Sequence, residues 1–171
     1  MIPDEIIRFL EGASVGHAGT RDENLVAHFH RVSGWIVGPD RQTITCLISK
    51  LHTKNLIPRL EHNKQLSLLV LASTTGPNAS VPPQPAVDAH ECYQFKGTFV
   101  GSRPLNEEDV TAFQECRERC VKLLQPMFGF TDEGAAAITI EPGLAVTFQV
   151  REIFNQTPGP GAGRRIVPEE A

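Results

Sequence analysis

Two histidines close together on one predicted strand are the first candidates for chemistry. His28 and His30 lie two residues apart in the run His28-Phe29-His30-Arg31. On a strand their side chains share one face, and Arg31 lies on the opposite face unless the strand bulges. Such a pair could ligate a metal or a haem, or it could form part of a solvated strand face. The spacing alone leaves these interpretations open.

The cysteines have a spacing that favours packing over chemistry. Cys116 and Cys120 stand four residues apart in a helical pattern, so they share a face, but no CxxC or HxxxH motif lies nearby to complete a metal site. With Cys46 and Cys92 they are too few and too scattered for a disulfide scaffold. We therefore expect four reduced thiols buried as small hydrophobic groups.

Length and charge exclude several classes of protein. The chain has 171 residues, and its 16 Lys and Arg against 20 Asp and Glu give a formal net charge of −4. This length suits a single domain, residues 1–171. A mildly acidic chain lacks the field of a general nucleic-acid or membrane-surface binder. The first residues carry no basic stretch leading into an apolar segment, so we expect a cytoplasmic protein.

The elements that must position these residues are mainly strands. Alternating apolar residues and turn signals predict six or seven strands and three helices, mostly joined by short turns. The predicted strands are 14–20, 25–37 with a bend near Ser33-Gly34, 43–48, 66–71, 93–100, 136–140 and 144–150. The predicted helices begin near Pro3, span 53–62, and begin after an N-cap at Asn106.

Two segments are predicted to lie outside the sheet. Residues 73–89 carry four prolines, which predicts a loop there rather than a paired strand, and residues 155–171 are predicted to form an extended Gly- and Pro-rich tail. No strand–helix–strand alternation recurs along the chain. The economical fold is therefore mainly β, an α+β arrangement in which an antiparallel barrel of six or seven strands carries peripheral helices.

This order of elements resembles the FMN-binding split barrel of the pyridoxamine 5'-phosphate oxidase-like superfamily. The resemblance implies a homodimer with two FMN molecules at its interface, each touched by both chains. The stretches that carry the resemblance are the opening helix, Val15-Gly16-His17-Ala18-Gly19-Thr20-Arg21-Asp22, residues 49–63, Tyr93-Gln94-Phe95-Lys96-Gly97, and the tail from Phe154 to Gly163.

The resemblance also implies a phosphate site. Ser49, Lys50 and Lys54 lie where the family binds phosphate, at the end of the third strand and the start of the next helix. A flavin phosphate carries nearly two negative charges and needs cations with hydroxyl or backbone donors. Pro58 and a lengthened helix depart from the usual spacing, so the choice between Lys50 and Lys54 stays open, as does an ordinary polar turn.

A flavin ring requires a hydrogen-bond donor or a positive charge near N1 and the C2 carbonyl. Family members lay their second strand along the ring, which here places His28, His30 and Arg31 beside it, with Arg31 as the candidate cation. Gln94 is the other candidate, because an amide both donates to and accepts from a flavin edge. Each of these side chains could instead be sheet surface.

The sequence departs from authentic pyridoxamine phosphate oxidases. Their strand motif has Arg followed five residues later by Lys, whereas Val26 and Arg31 occupy the nearest equivalent spacing here. Their C-terminal arginine-bearing substrate segment is replaced by Gly-Pro repeats and Arg164-Arg165. We therefore expect an FMN-dependent oxidoreductase acting on another small molecule or electron donor. The alternative is a non-enzymatic dimer that carries or senses flavin or haem, or a split barrel that has lost its cofactor.

Overall fold

The computed structural model describes residues 1–13, 15–73, 90–129, 131, 133, 134 and 141–167. The predicted strand 136–140 and nearly all of the predicted proline-rich loop lie outside these residues. The elements, in chain order, are α1 (Asp4–Gly12), β1 (Val15–Arg21), β2 (Ala27–Val37), β3 (Thr43–Ser49), α2 (Lys50–Thr53), α3 (Leu56–Asn63), β4 (Gln65–Ser73), β5 (His90–Pro104), α4 (Glu107–Phe128), β6 (Pro142–Asn155) and β7 (Arg165–Val167).

The strands form an antiparallel barrel. Their order is β3-β2-β1-β4-β5-β6-β7, and an additional pairing of β3 with β6 closes the first six into a ring. Strand β7 adds to the outside of β6 at Ile153 and Phe154. The predicted fold, a mainly β barrel of six to seven antiparallel strands with peripheral helices, is confirmed.

The barrel interior is filled by alternate side chains of the strands and sealed by helices. Ala18, Leu68, Phe95 and Phe148 are fully buried, because every second residue of a strand points inward. Helix α1 closes the barrel with the buried face formed by Ile6, Phe9 and Leu10. Each fully buried aliphatic side chain contributes about 1.5–3 kcal/mol to the stability.

The predicted bend in β2 is confirmed as a bulge. The register with β3 shifts between Val32 and Trp35, a stretch that includes Gly34. A Cβ at Gly34 would lie 3.3 Å from the backbone of Phe113, so the absence of a side chain lets α4 pack closely against this strand. Helix α4 thereby covers the outer face of β2 and β3, where Leu47 packs in a second, smaller core.

The start of α4 is fixed by side chains, as the sequence predicts. Asn106 accepts a hydrogen bond from the Asp109 backbone N–H, and the Asp109 carboxylate accepts one from the Asn106 N–H, which forms a capping box. Arg103 donates to the same buried carboxylate and, with the Asn106 N–H, holds the pKa of Asp109 below its usual value. Across the described residues, no helix is both long and apolar enough to span a membrane.

The helix predicted over 53–62 is confirmed as α3, with its start corrected to Leu56, and a separate short helix, α2, precedes it across Lys54 and Asn55. A continuous helix would require the N–H of residue 58 to bond to the carbonyl of Lys54, and Pro58 has no N–H. At the third position of α3, Pro58 lacks only a donor that would have no partner within the helix. The proline therefore sets where α3 begins.

The predicted extended tail is also corrected. The chain turns back after β6, with Gly159, Gly161 and Gly163 all at positive φ, and then forms β7 alongside β6. The reversal is closed by hydrogen bonds from the Gly163 N–H to the Asn155 carbonyl, 2.6 Å, and from the Asn155 N–H to the Arg164 carbonyl, 2.9 Å. These backbone conformations are readily available only to glycine, so the Gly-rich stretch makes a tight turn.

Candidate functional site

A cleft of about 570 Å³ lies on the outer face of the barrel, within the usual size range of small-molecule sites. Strands β1, β2, β4, β5 and β6 all contribute to it. The lining residues are Gly19, Thr20, Arg21, Phe29, Gln65, Leu66, Ser67, Gln94, Lys96, Gly97, Thr98, Arg151 and Glu152. We call this the outer cleft.

An exposed aromatic ring lies at one side of the outer cleft. Phe29 of β2 pairs with Gly19 of β1, and a Cβ at Gly19 would lie only 3.2 Å from the Phe29 ring, so the ring extends over the glycine. The Phe29 residue is 74% exposed, which is unusual for so large an apolar group. It offers a planar ligand an apolar face to stack on.

Gln94 faces the outer cleft with its amide held at both ends. Its Nε2 donates to Ser67 Oγ at 2.9 Å, and its Oε1 accepts from Gln156 Nε2 at 3.2 Å. An amide has two N–H groups and two lone pairs on its oxygen. One N–H and one lone pair of Gln94 therefore remain for a ligand.

Cations outnumber anions around the outer cleft. Arg21, Lys96 and Arg151 line it, against a single carboxylate, Glu152. The Glu152 carboxylate is itself 3.4 Å from the guanidinium of Arg165. The lining therefore favours an anionic ligand.

The three residues of the predicted phosphate site lie together but do not line the outer cleft. Ser49 is buried at the end of β3, Lys50 begins α2, and Lys54 directly follows α2. The Lys50 ammonium lies 3.6 Å from the Glu141 carboxylate. The exposed Lys54 makes no hydrogen bond or ion pair within the described residues.

A second, smaller cleft of about 300 Å³ lies beside Lys54. It is lined by Asp22, Glu23, Asn55, Pro58, Arg59 and His62. The two clefts approach each other at consecutive residues, since Arg21 lines the outer cleft and Asp22 lines the smaller one. Lys54 immediately precedes Asn55, so the structure brings this predicted cation close to the smaller cleft.

The predicted alternation along β2 is confirmed. His28 pairs with the buried Thr20 and His30 with the buried Ala18, while Arg31 lies on the other face with Phe29. None of His28, His30 and Arg31 lines the outer cleft.

His28 and Arg31 each lie against a specific polar partner. His28 Nε2 lies 3.0 Å from Asp22 Oδ2, and this hydrogen bond is the main cause of a lowered pKa of Asp22. The guanidinium of Arg31 donates to Cys120 Sγ on α4 at 3.0 Å.

The cysteines are free and buried, as predicted. Burial raises the pKa of the Cys92 thiol, and raises that of Cys116 to about 11. In the part of the chain that the structure describes, no group of three or more His, Cys, Asp and Glu side chains could hold a metal ion.

The sequence pointed to part of the outer cleft only. Gln94, a predicted ligand residue, lies in it, and Lys96 lies on the same strand face, as its spacing predicts. The sequence analysis did not select Phe29, although its position between His28 and His30 places it on the opposite face of β2 from these histidines. Gln156 carried no usable signal, because its contact with Gln94 exists only once β6 lies beside β5.

Comparisons by sequence found no matching family profile and no matching curated protein. Solved structures do match. HupZ from Group A Streptococcus is 15% identical with a TM-score of 0.50, covering 95% of this chain and 100% of its own. An F420 reductase is 9% identical with a TM-score of 0.50, covering 89% and 98%. An FMN-binding protein from Syntrophomonas wolfei subsp. wolfei is 15% identical with a TM-score of 0.46, covering 88% and 89%. Because these identities are low, the likeness to HupZ and to the F420 reductase establishes the fold alone.

Proposed function

From the split-barrel fold of the pyridoxamine 5'-phosphate oxidase-like superfamily, which this chain has, we propose that the protein binds FMN and acts as an oxidoreductase on a small molecule. The observation that carries the proposal is the composition of the outer cleft. An exposed aromatic ring, a side-chain amide with a free donor and acceptor, and an excess of cations line one cavity. A planar, anionic ligand with an amide-like edge fits such a lining.

FMN, when bound, supplies hydride and single-electron transfer at its ring. The chain binds and orients that ring. Phe29 gives it an apolar surface, and the free N–H of Gln94 donates to an acceptor at its edge. Lys96, which lines the same cleft, would supply positive charge to a ring that gains electron density on reduction.

We assign the phosphate to Lys54 and Arg59. Arg59 lines the smaller cleft together with the carboxylates of Asp22 and Glu23, and Lys54 immediately precedes Asn55 of the same lining. A guanidinium binds phosphate through two parallel hydrogen bonds and an ammonium acts as a point charge. Lys50 is the weaker candidate because its ammonium already has a carboxylate neighbour, Glu141.

The proposed functional unit is a homodimer. The hairpin of β1 and β2 exposes three apolar side chains, Leu25 at 71%, Val26 at 53% and Phe29 at 74%. A second copy of the chain would cover this surface and close the outer cleft. The ring of FMN would then be shielded from water on both sides.

The first test is purification followed by titration with FMN. We expect flavin absorbance in the purified protein, or quenching of FMN fluorescence on titration, and a weaker affinity for Phe29→Ala. Val100→Ala is the matched control, because Val100 is also an exposed apolar residue, 63%, but does not line the outer cleft. A Soret band would support the haem carrier instead. A colourless protein that ignores FMN would contradict the proposal.

Turnover separates an enzyme from a flavin carrier. The FMN-loaded protein is mixed anaerobically with NADH, NADPH or reduced F420, the last because one structural neighbour is an F420 reductase. Reduction of the flavin, followed by reoxidation by a small-molecule acceptor in repeated cycles, supports the oxidoreductase. Bound flavin that none of the three donors reduces supports a carrier or sensor.

A further inference from the structure

The segment that follows β6 is fastened to the beginning of β5. The Gln156 N–H donates to the Cys92 carbonyl at 2.8 Å, and the Cys92 N–H donates to Thr157 Oγ1 at 3.0 Å. The Thr157 N–H in turn donates to Asn155 Oδ1 at 2.8 Å. These bonds fix the backbone of residues 156 and 157 against β5, with the turn and β7 following.

The Gln156 side chain is the part of this segment that reaches the Gln94 amide. Its Nε2 donates to Gln94 Oε1 at 3.2 Å, and Gln94 Nε2 donates onward to Ser67 Oγ at 2.9 Å. Three side chains from β5, β4 and the tail thus form one chain of hydrogen bonds beside the outer cleft. Turning the Gln94 amide alone by 180° would point its N–H groups at the donor of Gln156, so the order is kept only if the Gln156 amide turns with it.

We propose that Gln156 is a positioning residue, which fixes the orientation of the Gln94 amide and so decides which polar group of Gln94 meets the flavin edge. The inference rests on the proposed FMN function. With Oε1 accepting from Gln156 and Nε2 donating to Ser67, the Gln94 amide is hydrogen-bonded at both ends before a ligand arrives. A preorganised donor binds a ligand more tightly than one that must first be ordered.

The role assigned to Gln156 differs from simple anchoring of the tail. Thr157 anchors the same segment through Cys92 but does not touch Gln94. A change at Thr157 therefore loosens the tail but keeps the hydrogen bond between Gln156 and the Gln94 amide. A change of the Gln156 side chain releases the Gln94 amide but leaves the tail attached, because the hydrogen bond from the Gln156 backbone N–H to the Cys92 carbonyl is kept.

The experiment compares Gln156→Met, which keeps the length of the side chain without the donor, with Thr157→Val as the matched control. The first readout needs no ligand: the ¹⁵N–¹H signals of the Gln94 side-chain amide in the apo protein. We expect Gln156→Met to shift them and Thr157→Val to leave them nearly unchanged. The second readout is FMN binding, which we expect to weaken about tenfold in Gln156→Met, the scale of one hydrogen bond.

Two further variants keep the outcome decisive. Ser67→Ala breaks the chain of bonds at its other end without touching the tail, and we expect it to weaken FMN binding to a similar extent. Gln156→Glu presents acceptors only, so it can hold the Gln94 Nε2 with the Gln94 amide inverted. We expect the ¹⁵N–¹H signals of the Gln94 side-chain amide to shift in this variant, measured in the apo protein.

The possible results distinguish a failure of the proposed function from a failure of the inference about Gln156. A wild type that does not bind FMN overturns the proposed function and the inference with it. A wild type that binds FMN, with unchanged Gln94 signals and unchanged affinity in Gln156→Met, overturns the inference alone. Equal weakening in Gln156→Met and Thr157→Val, without a shift of the Gln94 signals in either, reduces Gln156 to a tail anchor and also overturns it.

Discussion

Lys50 and Lys54 differ in their neighbours more than in their positions. Both are exposed and close to α2, but the Lys50 ammonium has Glu141 at 3.6 Å and Lys54 has no such partner among the described residues. Lys54→Ala should weaken FMN binding by about 1.5–3 kcal/mol, the scale of a hydrogen bond to a charged group. Lys50→Ala should weaken it by less, and isothermal titration calorimetry would measure both. Equal affinities for Lys54→Ala and the wild type would remove Lys54 from the site.

The sequence identified Gln94 as a candidate ligand residue, but it did not identify the residues that lie around it. A side-chain amide on a strand is recognisable in the sequence, and the register places it in the outer cleft between Ser67 and Gln156. The roles of Arg31 and the two histidines stay predictions. The spacing of the two histidines correctly predicted that they share a face. It could not show that Arg31 would contact Cys120 on α4. That contact joins residues 89 positions apart.

The N-terminus of α4 ties stability to pH. The folded-state pKa of Asp109 is lowered by Arg103 and by the backbone N–H of Asn106, so the carboxylate stabilises the fold above the unfolded value of 3.8. That stability is lost as the pH falls through the folded pKa. Asp109→Asn should cost roughly 1–3 kcal/mol at neutral pH. The difference from the wild type should shrink on acidification below about pH 4.

Denaturant unfolding followed by circular dichroism at several pH values measures this difference. Glu107→Gln is the control, since the exposed Glu107 side chain lies in the same first turn, makes no hydrogen bond or ion pair with the described residues, and interacts with the helix dipole by a few tenths of a kcal/mol. A pH-independent cost of Asp109→Asn would contradict the assignment.

Strand β6 approaches the start of α2 closely at Gly143. A Cβ at Gly143 would lie 2.5 Å from both the Lys50 nitrogen and the Ile48 carbonyl oxygen, and backbone atoms cannot yield as a flexible side chain can. Gly143→Ala should therefore destabilise the protein by about 1–3 kcal/mol and displace the start of α2. Gly101→Ala, which meets nothing within 4 Å, should change the stability by less than about 0.5 kcal/mol. Thermal unfolding of the two variants makes the comparison.

The barrel strands followed from the sequence because alternation and turn residues are local signals. The elements that the sequence missed depend on distant partners. Strand β7 has only three residues and exists because Ile153 and Phe154 offer it an edge to pair with. The break between α2 and α3 was readable in principle from Pro58, but only by asking which carbonyl its missing N–H would have bonded.

At the scale of the whole molecule, the exposed hairpin predicts a dimer. Phe29→Asp places a charge in the centre of the apolar surface, so we expect it to shift the protein from dimer to monomer and to weaken FMN binding. Val100→Asp is the control on a different strand. Analytical ultracentrifugation of the wild type and both variants measures the mass. A monomeric wild type would rule out the homodimer.

The position of Trp35 has a practical consequence for such measurements. Its indole N–H donates to the Leu10 carbonyl at the end of α1, and its ring lies over Gly16 of β1. It is the only tryptophan in the chain. Its intrinsic fluorescence is therefore a single-site probe of whether α1 is docked on the barrel, and it reports on that junction without any added label.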